Sequence, residues 1–405
     1  MATVTVPGAL GQTVALQYNS QANADIARQL AAKITAGVDA SSVVPVAQSY
    51  GPLPTLPAGT TGEFVQTQDG VTALPSGYAD VVSTARNAII FGSGDDDESI
   101  LSGDGKLTFV ATGGSGTVVG GGASSIIIPA SDGGAWSINT GNSDDRVLAF
   151  GGGNDTINAG GGHNEIALGL GRDVVRSVGD DTVVAGAGAE TIDATAAYHD
   201  LVHGGSSNLL FVGGNGRVEV FGDSGSDTVL GGIGNEVVHG GTGGHNLLYA
   251  GYGQATLFGG GDGDQLYAEG SKAQTLNAGS GNETLSGVFA RGDLTVHAGG
   301  GADQIALGSG DSEVIAGTGS ATISGGTGHD VFTFIQGEAG GSSLIENFTS
   351  LDKIKLVGYG PDAARNALQS QTAANGAVSI TLSDNTTITL LGVNRLTSAN
   401  FAGRE

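Results

Sequence analysis

The chain has 405 residues, of which 75 are Gly, and forty Asp and Glu against fifteen Lys and Arg give it a formal net charge of −25. Such an acidic chain argues against nucleic acid and anionic membranes as partners, because both need clustered Lys and Arg. The 39% of hydrophobic residues predict a buried core, and the lack of Cys excludes disulfides, thiolate zinc sites and cysteine nucleophiles. Bound cations are the partners that this composition favours.

The first part of the chain is predicted to hold one helix. Ala22 to Ala36 places apolar residues on one face, with Ser20 or Asn23 as the N-cap and Gly37 as the end of the helix. Short apolar runs separated by Gly, Ser and Asp then occupy residues 88–149, and we interpret them as degenerate coils of a solenoid. No stretch reaches the roughly 18 apolar residues of a membrane-spanning helix.

The middle of the chain is an internal repeat. Gly325 to Thr333 fits the nonapeptide G-G-x-G-x-D-x-U-x at every specified position, and stepping back by about nine residues finds further units as far as Phe150. The eighth position of each unit is a large apolar residue, from Ile157 to Phe332. A three-residue strand with one side chain pointing inward, joined by a Gly-rich turn, explains this period.

From Phe150 to Thr333 the pattern resembles the calcium-binding repeats of the RTX family of secreted bacterial proteins. The resemblance implies a parallel β-roll in which two nonapeptides complete one coil, and it implies that sixth-position Asp side chains and turn carbonyls bind Ca²⁺. We therefore predict an all-β solenoid, a parallel β-roll with a small, partly helical N-terminal region and a C-terminal cap of strands, a helix and a hairpin. The predicted segments are an N-terminal region with a Pro-rich linker (1–87), degenerate coils (88–149), the RTX-type roll (150–333) and the cap with a secretion signal (334–405).

Sixth positions differ between the two edges of the roll. Alternate units share an edge, and the first edge, which starts at Asp155, keeps Asp, Glu or Asn more often than the second edge, which starts at Asn164. Carboxylates stacked about 4.8 Å apart repel each other unless a cation lies between them, and Ca²⁺ takes oxygen ligands. The candidate calcium ligands are Asp155, Asp173, Asp181, Glu190, Asp200, Asp227, Asp264, Glu283, Asp303 and Asp330. The alternative is a degenerate roll whose carboxylates face water, and hydrogen-bonded Asn turns could hold the weaker coils without metal.

Large apolar residues also occupy positions that should face solvent in the middle coils. A contiguous apolar patch usually marks a contact, so we expect the N-terminal region or another subunit to cover it, with intramolecular packing as the alternative. The candidate contact residues are Leu209, Phe211, Leu247, Tyr249, Tyr267, Phe221 and Phe258.

The C-terminal segment is predicted to close the roll. Leu344 to Phe348 and Asp352 to Leu356 resemble the closing strands of RTX rolls, a short helix follows from Pro361 to Gln369, and residues 378–391 alternate as a β-hairpin. The tail from Leu396 to Phe401 resembles the C-terminal signal of type I secretion substrates. Because the first residues carry no classical secretory signal, we expect leaderless export by a type I system to the cell surface or the extracellular space.

No catalytic motif such as H-E-x-x-H or G-x-S-x-G is present in the sequence, so we predict that the protein is not an enzyme. We favour a secreted calcium-binding structural protein that self-associates in a surface layer, a fibre or a biofilm matrix. The alternative is a monomeric, calcium-stabilised adhesin or carbohydrate-binding module. The predicted partners are calcium ions and either further copies of the chain or an extracellular polysaccharide, with no nucleic acid and no membrane insertion.

Overall fold

The structure is a computed structural model that describes residues 1–49 and 51–403. The chain divides into two compact units, Met1–Ser207 (unit 1) and Asn208–Glu405 (unit 2). In each unit, the strands of the coils alternate between two sheets, and a strand of one coil pairs in parallel with the strand two places further along the chain. The predicted parallel β-solenoid is confirmed.

Unit 1 starts with an antiparallel hairpin, a 3₁₀ turn (Ala9–Gly11) within it, and the helix α1 (Gln21–Asp39). Its strands are β1 (Ala2–Pro7), β2 (Thr13–Tyr18), β3 (Val43–Ala47), β4 (Thr61–Gln66), β5 (Gly70–Ala73), β6 (Asp80–Ser83), β7 (Asn87–Phe91), β8 (Glu98–Ser102), β9 (Lys106–Val110), β10 (Gly116–Val119), β11 (Ser124–Ile128), β12 (Trp136–Asn139), β13 (Arg146–Ala149), β14 (Thr156–Gly160), β15 (Glu165–Leu168), β16 (Val174–Ser177), β17 (Thr182–Val184), β18 (Glu190–Asp193) and β19 (His199–His203).

The helix α1 is longer than predicted. Ser20 is its N-cap, because its side-chain oxygen accepts a hydrogen bond from the Asn23 amide. Gly37 does not end the helix, which continues to Asp39. A Cβ at Gly37 would lie 2.4 Å from Cγ2 of Val43, so this glycine allows β3 to pack closely against the helix. Among the described residues, no helix is long and apolar enough to cross a membrane.

The hairpin and α1 pack on the outside of the first coils of unit 1. Ala27 and Ile34 of the helix share a buried apolar cluster with Val82, Leu101 and Val119, which are outward-facing residues of β6, β8 and β10. Apolar outer positions in these coils are therefore explained by an intramolecular layer.

The sequence predicted that the parallel coils start at residue 88, but in the structure they start earlier. β3 pairs with β4, and β4 pairs with β6. Pro45 lies within β3 and made this segment look like a linker, but Pro is tolerated in a strand at the end of a sheet because one side needs no ladder hydrogen bond.

Unit 2 continues the same alternation and ends in a cap. Its strands are β20 (Leu209–Val212), β21 (Arg217–Phe221), β22 (Thr228–Leu230), β23 (Glu236–His239), β24 (Leu247–Tyr249), β25 (Ala255–Phe258), β26 (Gln265–Gly270), β27 (Gln274–Asn277), β28 (Thr284–Ala290), β29 (Leu294–His297), β30 (Ala302–Ala306), β31 (Ser312–Ile315), β32 (Ser320–Ser324), β33 (Val331–Ile335), β34 (Ser342–Glu346), β35 (Lys353–Val357), β36 (Thr372–Ala374), β37 (Ala377–Thr381) and β38 (Thr387–Leu391). The helix α2 is Ala363–Gln369, and a 3₁₀ turn occupies Ser398–Asn400.

The cap has the elements that the sequence predicted. β37 and β38 form an antiparallel hairpin whose turn holds Asn385 at a φ of 70°, and β38 also pairs in parallel with β34. The tail is packed rather than extended, because Leu396 and Phe401 are buried and Phe401 forms a bridge with Ile354.

The eighth-position side chains form the core of each unit, but the predicted frame is wrong by one residue at β20. Leu210 pairs with Thr228 and Phe211 pairs with Val229, which is an inward position. Leu209 and Phe211 are each only 1% exposed, whereas Leu210 is 38% exposed. Leu209 and Phe211 are therefore core residues and cannot contact a partner. Phe211 also keeps the nine-residue spacing to Val220, a signal that the sequence contained.

Candidate metal centre

The sixth-position carboxylates lie inside the turns and do not face water. All of the predicted calcium ligands are buried, with at most 2% of each residue exposed. The alternative of a degenerate roll whose carboxylates face water is therefore contradicted. Burying a carboxylate costs free energy unless hydrogen bonds or a cation compensate for it.

One carboxylate oxygen of each Asp in these positions accepts a hydrogen bond from a backbone amide of the preceding coil. The Trp136 amide donates to Asp155 Oδ1 and the Asp155 amide donates to Asp173 Oδ1, both at 2.8 Å. In unit 2 the Glu283 amide donates to Asp303 Oδ1 at 3.0 Å. The sixth-position side chain therefore connects consecutive coils without metal.

Several of the other carboxylate oxygens at sixth positions in unit 1 have no hydrogen-bond partner. Oδ2 of Asp173 and both carboxylate oxygens of Glu190 are buried without a hydrogen-bond partner on the first edge. On the second edge, Oδ2 of Asp200 is also buried and unpartnered. Unpartnered anionic oxygens at adjacent coils suit Ca²⁺, which binds several oxygens at once.

Unit 2 has a similar set on its first edge. Oδ2 of Asp227, Oδ2 of Asp303 and both oxygens of Glu283 are buried and unpartnered. A Cβ at Gly222 would lie 2.4 Å from Asp227 Oδ2 and 2.7 Å from the Gly240 carbonyl oxygen. Glycine thus keeps open a space that a carboxylate and a carbonyl oxygen both border, which is the ligand combination that calcium prefers.

Burial and mutual repulsion raise the pKa values of these carboxyls. Burial, with the charge of Asp155, raises the pKa of Asp173 to about 6. Burial, with the charge of Asp173, raises the pKa of Glu190 to about 7. Burial and the neighbouring Asp303 raise the pKa of Glu283 to about 8. A bound cation would remove this repulsion and favour the ionised forms.

The other predicted ligands have more hydrogen bonds. Asp181 Oδ1 accepts from the Asn164 side chain at 2.7 Å and its Oδ2 accepts from Ser177 Oγ at 2.6 Å, so both of its oxygens are satisfied. Asp264 Oδ1 accepts from the Asn246 amide at 2.8 Å. Asp330 Oδ1 accepts from the Ser312 amide at 3.0 Å. Of the predicted ligands, Asp181 has the least capacity left for a metal.

Amide side chains replace carboxylates in two turns of unit 2. Gln274 Nε2 donates to the carbonyl oxygens of Gly251 and Gly253, both at 2.9 Å. Asn246 Nδ2 donates to the carbonyl oxygens of Gly240 and Gly243, also both at 2.9 Å. The amide nitrogen thus satisfies turn carbonyls that would otherwise be available to a cation. These coils are closed by the protein alone.

Three further carboxylates of the same kind lie outside the predicted set of ligands, although Glu236 occupies a sixth position and Glu98 belongs to an acidic run (95–98) that the sequence offers as a second possible calcium site. Asp145, Glu98 and Glu236 are buried, and each has one unpartnered oxygen. Asp145 could have been found, because Val147 stands two residues after it as an inward apolar residue. Within residues 1–49 and 51–403, no three His, Asp or Glu side chains converge as a metal-binding group. The candidate sites therefore combine one or two carboxylates with turn carbonyls.

Outward aromatic side chains form two stacks in unit 2. Phe221, His239 and Phe258 stack with ring centroids 4.7 and 4.6 Å apart and planes within 2° of parallel. Tyr249 stacks on Tyr267 at 4.6 Å. These residues and Leu247 are half-buried and lie on the outer faces of the sheets.

A family model for the RTX calcium-binding nonapeptide repeat (4 copies) matches residues 151–175, 177–197, 203–238, 240–271 and 295–314. Comparison with curated proteins finds no match. The matched segments contain most of the predicted ligands, and RTX nonapeptide repeats bind calcium ions. Residues 151–314 therefore hold RTX calcium-binding nonapeptide repeats, and the chain folds as a parallel β-solenoid.

Proposed function

We propose that the protein is a secreted, non-enzymatic structural protein whose copies associate at the cell surface or in an extracellular matrix once calcium is bound. The observation that carries this proposal is the pair of half-exposed aromatic stacks on unit 2, Phe221–His239–Phe258 and Tyr249–Tyr267. Apolar surface of this kind usually marks a contact. Export is supported by the family, since RTX repeat proteins are typically secreted by type I systems.

Calcium would be held at the first edge of each unit by the carboxylates that lack partners. In unit 1 these are Asp173 and Glu190, with Asp155 next to them, and in unit 2 they are Glu283 and Asp303. Bound Ca²⁺ supplies positive charge between carboxylates that otherwise repel each other. The backbone hydrogen bonds of the Asp side chains and the amide-closed turns hold the coils in register before the ion arrives.

Light scattering with size-exclusion chromatography tests the proposal on chelator-treated protein titrated with Ca²⁺, with Mg²⁺ as control. We expect the mass to rise with Ca²⁺ alone. The variants Phe221→Ala/Phe258→Ala and Tyr249→Ala/Tyr267→Ala should remain monomeric. Tyr198→Ala is the matched control, because Tyr198 is 75% exposed and lies outside both stacks. A constant monomer mass at saturating Ca²⁺ would contradict self-association.

A monomeric adhesin or carbohydrate-binding protein is the second candidate. It is favoured by a separate observation, an aromatic groove on the second edge of unit 2. Retention on polysaccharide without any rise in mass would support this candidate over self-association.

A further inference from the structure

A long groove follows the turns on the second edge of unit 2. It consists of two adjoining cavities of about 650 and 710 Å³ that share Val288 and Ser309 in their walls. The groove extends from Tyr252 to Phe348 across five successive steps of the coil, which at the spacing of paired strands is roughly 24 Å. It lies apart from the aromatic stacks, and the inference below does not depend on self-association.

An insertion in the repeat builds the wall of this groove. The inward residues Leu285 and Val296 are eleven positions apart instead of nine, and the strand between them carries Val288 and Phe289 outward. Val288 is 55% exposed and Phe289 is 71% exposed. In repeat proteins, an insertion on one face often forms a binding surface.

A second aromatic ring faces the same cavity. Tyr252 is 63% exposed, and a Cβ at Gly270 would lie 3.0 Å from its Cδ1 atom. The ring thus rests against the bare backbone of the next turn, which holds it in place as a flat surface. Glu269 and Arg291 line the cavity beside it. In the part of the chain that the structure describes, no ion pair joins Glu269 and Arg291.

The groove does not offer backbone groups to an extended peptide. The Arg291 amide donates to the Gly270 carbonyl at 2.6 Å, the Ser309 amide to Ala290 at 3.0 Å, and the Thr327 amide to Gly308 at 2.9 Å. Peptides that add to a sheet need an edge with free amides and carbonyls. At these three positions the side chains, and not the amides, are free to recognise a ligand.

Charge also restricts the ligand. One carboxylate and one guanidinium line the first cavity, and the chain as a whole has a formal net charge of −25. A polyanion would be repelled by such a field. Hydroxyl and amide side chains continue along the second cavity, where they alternate with aromatic and aliphatic groups; they are Ser309, Thr327, Asn347 and Thr349.

We propose that this groove binds a chain of neutral sugars. The apolar faces of the sugar rings pack on Tyr252 and Phe289, and the sugar hydroxyls form hydrogen bonds with Glu269 and Arg291. A polyhydroxylated, uncharged chain matches the mixture of aromatic and polar groups in the groove, and its side-chain-only recognition needs no free backbone amide.

Affinity electrophoresis of the full-length, calcium-loaded protein in gels that contain a soluble neutral glucan tests this inference, with dextran and laminarin as probes and alginate as the anionic control. We expect retardation by at least one of the neutral glucans and none by alginate. Tyr252→Ala and Phe289→Ala should each weaken binding about tenfold, a typical effect of losing one aromatic contact. Arg291→Gln should weaken it as well. Tyr198→Ala is the matched control, because Tyr198 is 75% exposed and lies outside the groove and outside both aromatic stacks.

The outcomes separate this site from other surfaces. All of the substitutions are at surface residues. Circular dichroism spectra identical to that of the parent protein check that the variants fold. Retardation that persists in Tyr252→Ala and Phe289→Ala, or that disappears in Tyr198→Ala, overturns the assignment of the groove. Absence of retardation by both neutral glucans, or retardation by alginate alone, overturns the ligand class. Loss of self-association in the Phe221→Ala/Phe258→Ala variant with intact glucan binding leaves the groove assignment standing.

Discussion

Loading the metal-free protein with Ca²⁺ should release protons in a number that depends strongly on pH. Burial raises the pKa values of seven of the predicted ligands to between about 6 and about 8. They are about 6 for Asp155, Asp173, Asp227 and Asp330, about 7 for Glu190 and Asp200, and about 8 for Glu283. Calcium needs the ionised carboxylates, so binding must displace the protons that these groups hold.

The expected number follows from these values. At pH 6.5 a group with a pKa near 6 holds about a quarter of a proton, one near 7 about three quarters, and Glu283 nearly a full proton. If all of the sites fill, about three and a half protons leave at pH 6.5 and fewer than about half a proton leaves at pH 8.5. Apparent calcium affinity should therefore rise as the pH rises.

Isothermal titration calorimetry in buffers of different ionisation enthalpy measures the number of protons released. That number is the slope of the observed binding enthalpy plotted against the ionisation enthalpy of the buffer. Glu283→Gln should lower the slope at pH 6.5 by about one proton, whereas Asp227→Asn should lower it by about a quarter of a proton. A slope near zero at pH 6.5, or an equal slope at pH 8.5, would refute the argument that these buried carboxyls are the calcium ligands.

Three further predictions concern single side chains. Asn246→Asp should remove the amide that closes its turn and add one bound calcium, as counted by equilibrium dialysis, and an unchanged count would show that the amide does not stand in for an ion. Glu63 is fully buried, and burial with the charge of Asp80 raises its pKa to about 8, so the fold favours its protonated form. The contribution of protonated Glu63 to the free energy of unfolding should be complete at acidic pH and lost as the pH rises through about 8. Glu63→Gln should therefore melt at a higher temperature than the parent protein at pH 9 in chelator. Equal melting temperatures would contradict this link between the pKa of Glu63 and stability. Leu266→Ala should cost about 2–5 kcal/mol of unfolding free energy in a denaturant titration, because Leu266 is fully buried in a thin core, and a cost below about 1 kcal/mol would indicate that the coil collapses around the gap.

The nine-residue period and the resemblance to RTX repeats together predicted the solenoid, because one inward apolar residue per unit leaves little freedom in the strand assignment. It did not resolve β20, where Leu209, Leu210 and Phe211 are all apolar and any of them could have been the inward residue. Pairing with the neighbouring strand decides among them, and the sequence of one unit does not contain that information.

The candidate ligands were predictable by position but not by environment. The repeat frame places Asp181 and Asp173 at equivalent sixth positions, but only the structure shows that Ser177 and Asn164 satisfy Asp181 while Asp173 keeps an unpartnered oxygen. The groove was missed because its residues are scattered from position 252 to 348 and become neighbours only when the coils stack.

The backward reach of the sixth-position side chains gives the solenoid a direction. The Asp155 amide is satisfied by Asp173, and the Asp330 amide by Asp352, which lies in the cap beyond the last repeat. Removing the coil that carries Asp173 would orphan the buried Asp155 amide, and removing the coil that carries Asp155 would orphan the Val174 amide, which donates to the Asp155 carbonyl oxygen at 2.9 Å. Such a coil therefore depends on both of its neighbours, on one through a side chain and on the other through the main chain. At the end of the repeats, Asp352 lets the cap take the place of the missing next coil for Asp330.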